Sequence, residues 1–163
     1  MMADNAGEIV FDRDLLAQLP PGHVAVAVRG SPVLKDATVV DAHPAGLPEF
    51  CEIVSNGSDA PGTLLADCST AFRERFAAAD LVIAKGQGKY ESLADSNKEI
   101  FFLLKIKCTV LSRNLAWPVG SLVLFHQQAA GATHQGDGDN ARARGHGRGR
   151  GVRTRPACWL DRL

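Results

Sequence analysis

The chain has 163 residues and 17.4 kDa, with 45% hydrophobic residues and a formal net charge of zero. That size suits one domain with a sizeable core, or one domain and a tail. The neutral balance gives the chain as a whole no attraction for a polyanion, and the longest apolar runs, such as Ile100 to Leu104, are far too short to span a bilayer, so no membrane partner is expected.

A polar cluster, Asp4-Asn5, comes first, then Gly7, and an apolar rhythm starts at Ile9. Ile9, Val10, Leu15, Leu16 and Leu19, with Asp12, Arg13 and Asp14 between them, predict an amphipathic helix that Pro20-Pro21-Gly22 stops. HVAVAVR, His23 to Arg29, reads as a buried strand broken by Gly30-Ser31-Pro32. A second helix is expected from near Asp36 until Pro44 and Gly46. CEIVSN, Cys51 to Asn56, is a short strand. Leu64 to Cys68 and Ala71 to Ala79 read as helical, with a break near Ser69. DLVIAK, Asp80 to Lys85, is a strand ending in GQGKY, and a short helix follows at Glu91 to Ala94. Glu99 to Lys105 is an apolar strand, Ile106 to Leu115 is ambiguous, and Val119 to Phe125 is a last strand.

Strands alternate with helices at the spacing of βα units, which predicts an α/β fold: a three-layer sandwich with a mostly parallel, Rossmann-like sheet. Residues 1–125 would form this core. Residues 126–163 change character. They hold no lysine but seven arginines (Arg142, Arg144, Arg148, Arg150, Arg153, Arg155, Arg162) against Asp137, Asp139 and Asp161. The tail carries about +4, the rest about −4, and without apolar periodicity it is expected to be disordered. RGHGRGRG resembles segments that bind single-stranded nucleic acid, although no aromatic residue is interleaved with its arginines. Only through this tail is nucleic acid a candidate partner; the bland alternative is an incidental extension.

The four cysteines, Cys51, Cys68, Cys108 and Cys158, make no CxxC pair and match no zinc spacing. Three lie in or beside apolar segments and read as buried free thiols of a reducing cytoplasm. No basic segment, apolar stretch and small-residue cleavage site marks a signal peptide. A cytoplasmic location is therefore expected.

Open parallel sheets bind ligands beyond the carboxyl ends of their strands. The segments there are Asp4-Asn5-Ala6-Gly7-Glu8, Gly30 to Asp36, Ser55-Asn56-Gly57-Ser58-Asp59, and Lys85-Gly86-Gln87-Gly88-Lys89-Tyr90-Glu91. Hard divalent cations want oxygen ligands, and Asp4, Asn5 and Asp36 could supply two carboxylates and an amide oxygen to magnesium, manganese or a similar ion such as nickel or cobalt. Gly57 and Gly86 are read as preceding helix starts, where backbone N–H groups hold phosphate oxygens, and Lys85 adds a positive charge against a phosphoryl group. These are parts for metal-assisted phosphoryl transfer or hydrolysis. The structural alternative stays open for each: Asp4, Asn5 and Asp36 as helix caps, Asn56-Gly57 as a turn, GQGKYE as a common glycine-rich loop.

ADNAGEIVFD (Ala3 to Asp12), LKDAT (Leu34 to Thr38), SNGSDAPGTLL (Ser55 to Leu65), DLVIAKGQGKYESL (Asp80 to Leu93) and FFLLKIKC (Phe101 to Cys108) closely resemble the damage-control phosphatase family, the domain-of-unknown-function 89 or ARMT-like group, in its bacterial and archaeal branch. The resemblance runs in order from about residue 3 to 124. It implies a metal-dependent phosphatase with an α/β core that removes phosphate from sugar phosphates or damaged phosphometabolites. Asp4, Asn5 and Asp36 would be the metal ligands, Lys85 would contact the phosphate, and a metal-bound water would be the nucleophile. Asp4, Asp36 and Lys85 thus make the implied catalytic group. Glu8, Asn56, Gly57, Ser58, Asp59 and Gly86 would lie around the pocket of a small phosphorylated metabolite.

The sequence departs from that pattern in three ways. Lys35-Asp36 stands where the family usually has Asn-Asp, and Lys89 where it more often has Asn. Lys35 is expected to weaken metal binding. The all-helical region and the strand leading into Asp4-Asn5 are expected to be missing, which makes the chain an N-terminally truncated member of low or no activity. The alternative is a non-catalytic remnant acting through its basic tail.

Overall fold

The computed structural model describes residues 1–130, which form one compact unit. The expectations for the Gly/Arg-rich segment and Cys158 lie outside the described residues, apart from residues 126–130. The strands are β1 (Ala25–Val28), β2 (Glu52–Ser55), β3 (Val82–Lys85), β4 (Ile100–Lys105) and β5 (Leu122–Gln127). The helices are α1 (Ile9–Leu16), α2 (Val39–Ala42), α3 (Thr70–Ala78), α4 (Gln87–Leu93) and α5 (Thr109–Leu115), with a 3₁₀ turn at Leu47–Glu49.

Val26, Val28, Val82, Ile83 and the apolar run of β4 favour strands because their side chains pack well on a pleated surface. β1 pairs with β2 in parallel and β3 with β4 in parallel, while β5 runs antiparallel to β4. The two ladders meet at the N-terminus. Met2 bridges in parallel to both Ala27 of β1 and Ala84 of β3. Met2 N–H donates to the Ile83 carbonyl at 2.7 Å, and Lys85 N–H to the Met2 carbonyl at 3.2 Å. Ala27 N–H donates to the Met1 carbonyl at 2.8 Å, and Ala3 N–H to the Ala27 carbonyl at 3.0 Å. The sheet order is thus β2, β1, residues 1–3, β3, β4, β5. The sequence led to the expectation that no strand carries Asp4-Asn5; residues 1–3 hold that central position.

Alternation along the strands sends side chains to opposite faces. Met2, Ala27, Val54, Ala84 and Phe102 face one core, with Phe72 of α3, Leu93 of α4 and Leu111 of α5. Ala3, Val26, Val28 and Ile53 face the other, with Ile9 and Leu16 of α1, Ala42 of α2 and Leu47. These are the three layers expected. Tyr90 meets Phe102 edge-on at 5.2 Å between ring centroids.

Several boundaries differ from the expectation. Leu64 to Cys68 forms turns, not a helix. The helix placed at Glu91 begins earlier, at Gln87, because Gly86 at φ +89° makes the break. The ambiguous Ile106 to Leu115 resolves into α5, which Cys108 caps by accepting from Leu111 N–H. β5 runs through Gln127, past the boundary drawn at Phe125. Asp36 does not start a helix. Residues 36–38 are extended after a turn at Leu34-Lys35: Ala6 N–H donates to the Lys35 carbonyl, Ala37 N–H to the Asp4 carbonyl, and Arg29 N–H to the Ala37 carbonyl. Asp36 is therefore held in a bridge with Asn5. The helix starts after Thr38, whose N–H and hydroxyl both donate to the Asp41 carboxylate, at 2.8 and 2.6 Å. Of the cysteines, Cys68 is a buried free thiol, whereas Cys51 and Cys108 are free but only half-buried. Among the described residues no helix is long and apolar enough to cross a membrane.

The two bonds from Thr38 hold the Asp41 pKa below the usual carboxylate value. A depressed folded pKa contributes stability above the unfolded value, and that stability is lost as pH falls through the folded value. Asp41→Asn is therefore expected to lower the urea midpoint at pH 7. The gap to the unsubstituted chain should shrink as the pH is taken below the ordinary carboxylate range. An equal gap at both pH values would show that the charge on Asp41 is irrelevant.

Candidate active site

Four segments leave the carboxyl ends of the strands side by side. The first is the loop from Asp4 to Glu8, issuing from residues 1–3. The Asp4 carboxylate lies against Gly86: a Cβ there would sit 2.4 Å from either Asp4 oxygen. Only glycine fits that approach and that φ. Lys89, one turn into α4, places Nζ 3.0 Å from Asp4 Oδ1. Its side chain is 5% exposed and that of Asp4 19%. Burial lowers the Lys89 pKa from the usual lysine value, and the charges of Asp4 and then Asp36 oppose that shift.

Asp36, on the second segment, accepts from Arg29 Nε at 2.7 Å, with Nη2 also at 2.7 Å from the same oxygen. Arg29 is the residue after β1 and its side chain is only 3% exposed. Asp4, Asp36, Arg29 and Lys89 thus form one cluster whose formal charges cancel. Asn5 Nδ2 donates to Glu8 Oε1 at 2.6 Å. Each expected metal ligand keeps one oxygen, Asp4 Oδ2, Asn5 Oδ1 and Asp36 Oδ1, without a hydrogen bond among the described residues. That all-oxygen donor set fits a hard divalent cation. Among the described residues no group of three or more His, Cys, Asp and Glu side chains is placed to hold a metal.

Lys85 ends β3, as the sequence indicates, but its ammonium turns to α1. It donates to Asp12 Oδ1 at 2.7 Å and lies 3.6 Å from Glu8 Oε2. Glu8 therefore links Asn5 to Lys85. Asp12, read from the sequence as lying between the apolar positions of its helix, is buried, and its Oδ2 has no partner. It sits four residues after Glu8, so both acids point from one face of α1.

Asn56 is buried and ties loops together: its Oδ1 accepts from Gly30 N–H at 2.9 Å and Ser58 N–H at 3.0 Å. Ser58 is buried too and donates its hydroxyl to Asp67, while Asp59 and Gly57 are exposed. Gly57 does not begin a helix. It lies against Ser69, whose side chain accepts from Phe72 N–H and caps α3. Gly86 does precede a helix, α4. Neither Asp4 nor Asn5 caps α1, whose N-cap residue is Glu8. Thr63 Oγ1 and Arg29 Nη1 are buried without partners, and both residues line a void of about 10 Å³ with Asn56 and Lys89. A cleft of about 620 Å³ opens elsewhere, at the opposite edge of the sheet, lined by residues such as Met1, Leu19, Ala25, Phe76 and Leu81 and by none of the expected site residues. The convergent polar groups, not this larger apolar cleft, mark the candidate site.

The Damage-control phosphatase ARMT1-like domain matches residues 1–123. The chain belongs to this family. It is 41% identical over 129 residues to an uncharacterized protein of Methanocaldococcus jannaschii, covering 76% of this chain and 42% of that protein. It is 40% identical over 126 residues to a damage-control phosphatase of Pyrococcus horikoshii, covering 75% of this chain and 44% of that one. A damage-control phosphatase of Archaeoglobus fulgidus is 36% identical over the same length. The crystal structure of a DUF89 family protein from Pyrococcus horikoshii superposes with a TM-score of 0.72 at 40% identity, over 77% of this chain and 45% of that chain. The chain spans less than half the length of these relatives. Family membership agrees with the sequence resemblance, whose blocks include Asp4-Asn5, Asp36 and Lys85. Sequence reasoning did not assign Arg29, Asp12 or Thr63 to the site, and placed Lys89 in the loop after β3 without a role beyond its departure from the family pattern. A charge closing an apolar strand was the available signal for Arg29.

The loops depend on close backbone approach. A Cβ on Gly30 would lie 2.6 Å from the Cα and carbonyl carbon of Gly57, whereas one on Gly7 would meet nothing within 4 Å. Gly30→Ala is expected to destabilise the chain by about 1–3 kcal/mol, as overpacking does, and Gly7→Ala by much less. Urea denaturation of both variants checks this; equal effects would refute the contact.

Proposed function

We propose that this chain forms the catalytic edge of a divalent-metal-dependent phosphatase acting on small phosphate esters, sugar phosphates or damaged phosphometabolites. The observation that carries the reading is that the backbone bridges the Asp4-Asn5 segment to Asp36 at the carboxyl edge of the sheet, with one oxygen of each side chain unengaged. Membership of the damage-control phosphatase family supports it. Asp4, Asn5 and Asp36 would hold a divalent ion such as manganese, magnesium, nickel or cobalt, which supplies Lewis acidity toward the phosphoryl group when bound.

The chain's own residues supply orientation and charge. Gly86 fixes the Asp4 carboxylate from one side and Arg29 fixes Asp36 from another. Asn56 locks the loop after β2 to the loop after β1, so both approach the ligand as one rigid rim. Lys85 presents a cation shared between Glu8 and Asp12. A phosphate could draw that ammonium from the half-exposed Glu8 while Asp12 keeps it oriented.

The test is turnover of a chromogenic phosphate ester and of sugar phosphates with each of the four metals. Slow metal-dependent hydrolysis is expected from a chain that spans less than half the length of its relatives, abolished by a chelator and reduced at least about a hundredfold in Asp36→Asn, the loss typical when a charge-stabilising group is removed. The melting temperature of the variant controls for folding. Hydrolysis unaffected by the chelator, equal turnover in folded Asp36→Asn, or no turnover with any metal would reject the reading.

A further inference from the structure

The side chain of Lys89 is buried, and it comes from the helix whose first residue follows Gly86, the glycine against which Asp4 rests. Its ammonium therefore meets the Asp4 carboxylate inside the protein, where water competes little for either charge. Arg29 does the same for Asp36. The two acids are neutralised by two cations of the same chain before any ion arrives.

We propose that the Lys89 ammonium acts as a built-in cation at the Asp4–Asp36 seat, so that a divalent ion taking up the free oxygens of these acids binds against its charge. The inference rests on the metal reading above and adds a competitor to it. Lys89 has little room to withdraw inward. The void it lines beside Arg29 and Thr63 is about 10 Å³, no more than one water needs. Arg29, which also lines that void, already carries a positive charge there. The charge of an ion on Asp4 Oδ2 would push the ammonium outward, toward solvent or substrate oxygens. An incoming anionic substrate is a ready acceptor for it. Metal and phosphate would then bind with positive cooperativity: the phosphate accepts the lysine that the metal repels.

The experiment follows binding, not turnover. Manganese is titrated into the full chain and the free ion is read by electron paramagnetic resonance, with wild type, Lys89→Met, Lys89→Gln and, as a control, Lys98→Met, a half-buried lysine outside the site, bonded to the Ala77 carbonyl. Wild type is expected to bind weakly, and Lys89→Met and Lys89→Gln at least about tenfold more tightly, the change expected from loss of a like charge beside the ion. Lys98→Met should match wild type. Adding Asp36→Asn to Lys89→Met should cancel the gain. Inorganic phosphate should tighten manganese binding to wild type more than to Lys89→Met. The melting temperature should respond to manganese in the Lys89 variants and hardly at all in wild type.

Tight manganese binding by wild type and variants alike would overturn this proposal and leave the metal reading standing. No binding by any of them would overturn both. Wild-type binding in the micromolar range would suffice to reject it even if neither Lys89 variant folds.

Discussion

Met2 donates to β3 and accepts from it, while its neighbours Met1 and Ala3 do the same with β1. Through these few bonds the β1–β2 and β3–β5 ladders become one sheet. The seam also sets the two cores apart, because Met2 turns to the side of α3, α4 and α5 and Ala3 to the side of α1 and α2. The chain then leaves the seam directly into Asp4. The position of that carboxylate, and through backbone bonds that of Asp36, follows from how a strand position in the middle of the sheet is filled. Parallel order alone would place the loops at one edge. The seam brings the loop of the central position between those of β1 and β3.

Electrostatics then organises what the seam gathers. The pairs Asp4–Lys89 and Asp36–Arg29 lie in a largely buried cluster, where an unpaired charge would be costly. A second network, Asn5–Glu8–Lys85–Asp12, runs along α1 and is open at Glu8. The two networks share the Asp4-Asn5 dipeptide. Asp4 belongs to the closed, neutral one and Asn5 to the one that faces solvent. A ligand at this edge therefore meets a region already balanced in charge on one side and adjustable on the other.

Much of this was legible in the residues. Strand-forming stretches ended in polar, glycine-containing loops, and the parallel order then placed Asp4, Asn5, Asp36 and Gly86 at one edge. Periodicity did not show Asp36 in an extended bridge, since its place is set by backbone partners at Asn5, Asp4 and Arg29, far away in sequence or fixed by the turn. Asp12 looked like one of several charges on an amphipathic helix. It is buried because Lys85, from a strand more than seventy residues later, meets it there. Lys89 could be recognised as unusual but not as the partner of Asp4, because a helix of seven residues has no pattern that tells which side faces a distant loop. Gly57 failed as a helix start for a related reason: its helix, α3, touches it in space only after an intervening loop.

The seam has a consequence for the order of assembly. Met2 is synthesised before Ala84, its partner across β3, by about eighty residues. At about 5–20 residues per second, the N-terminal segment waits several seconds with its β3-facing backbone groups open to water. Closing so long a loop costs entropy before any contact repays it. The β1 side of the seam, about twenty-five residues away, can close first. Asp4 thus has its backbone anchor to the Ala37 side early, but its Gly86 wall and its lysine only after β3 and α4 have emerged. The candidate site becomes whole only after the β1–β2 ladder beside it can already have formed.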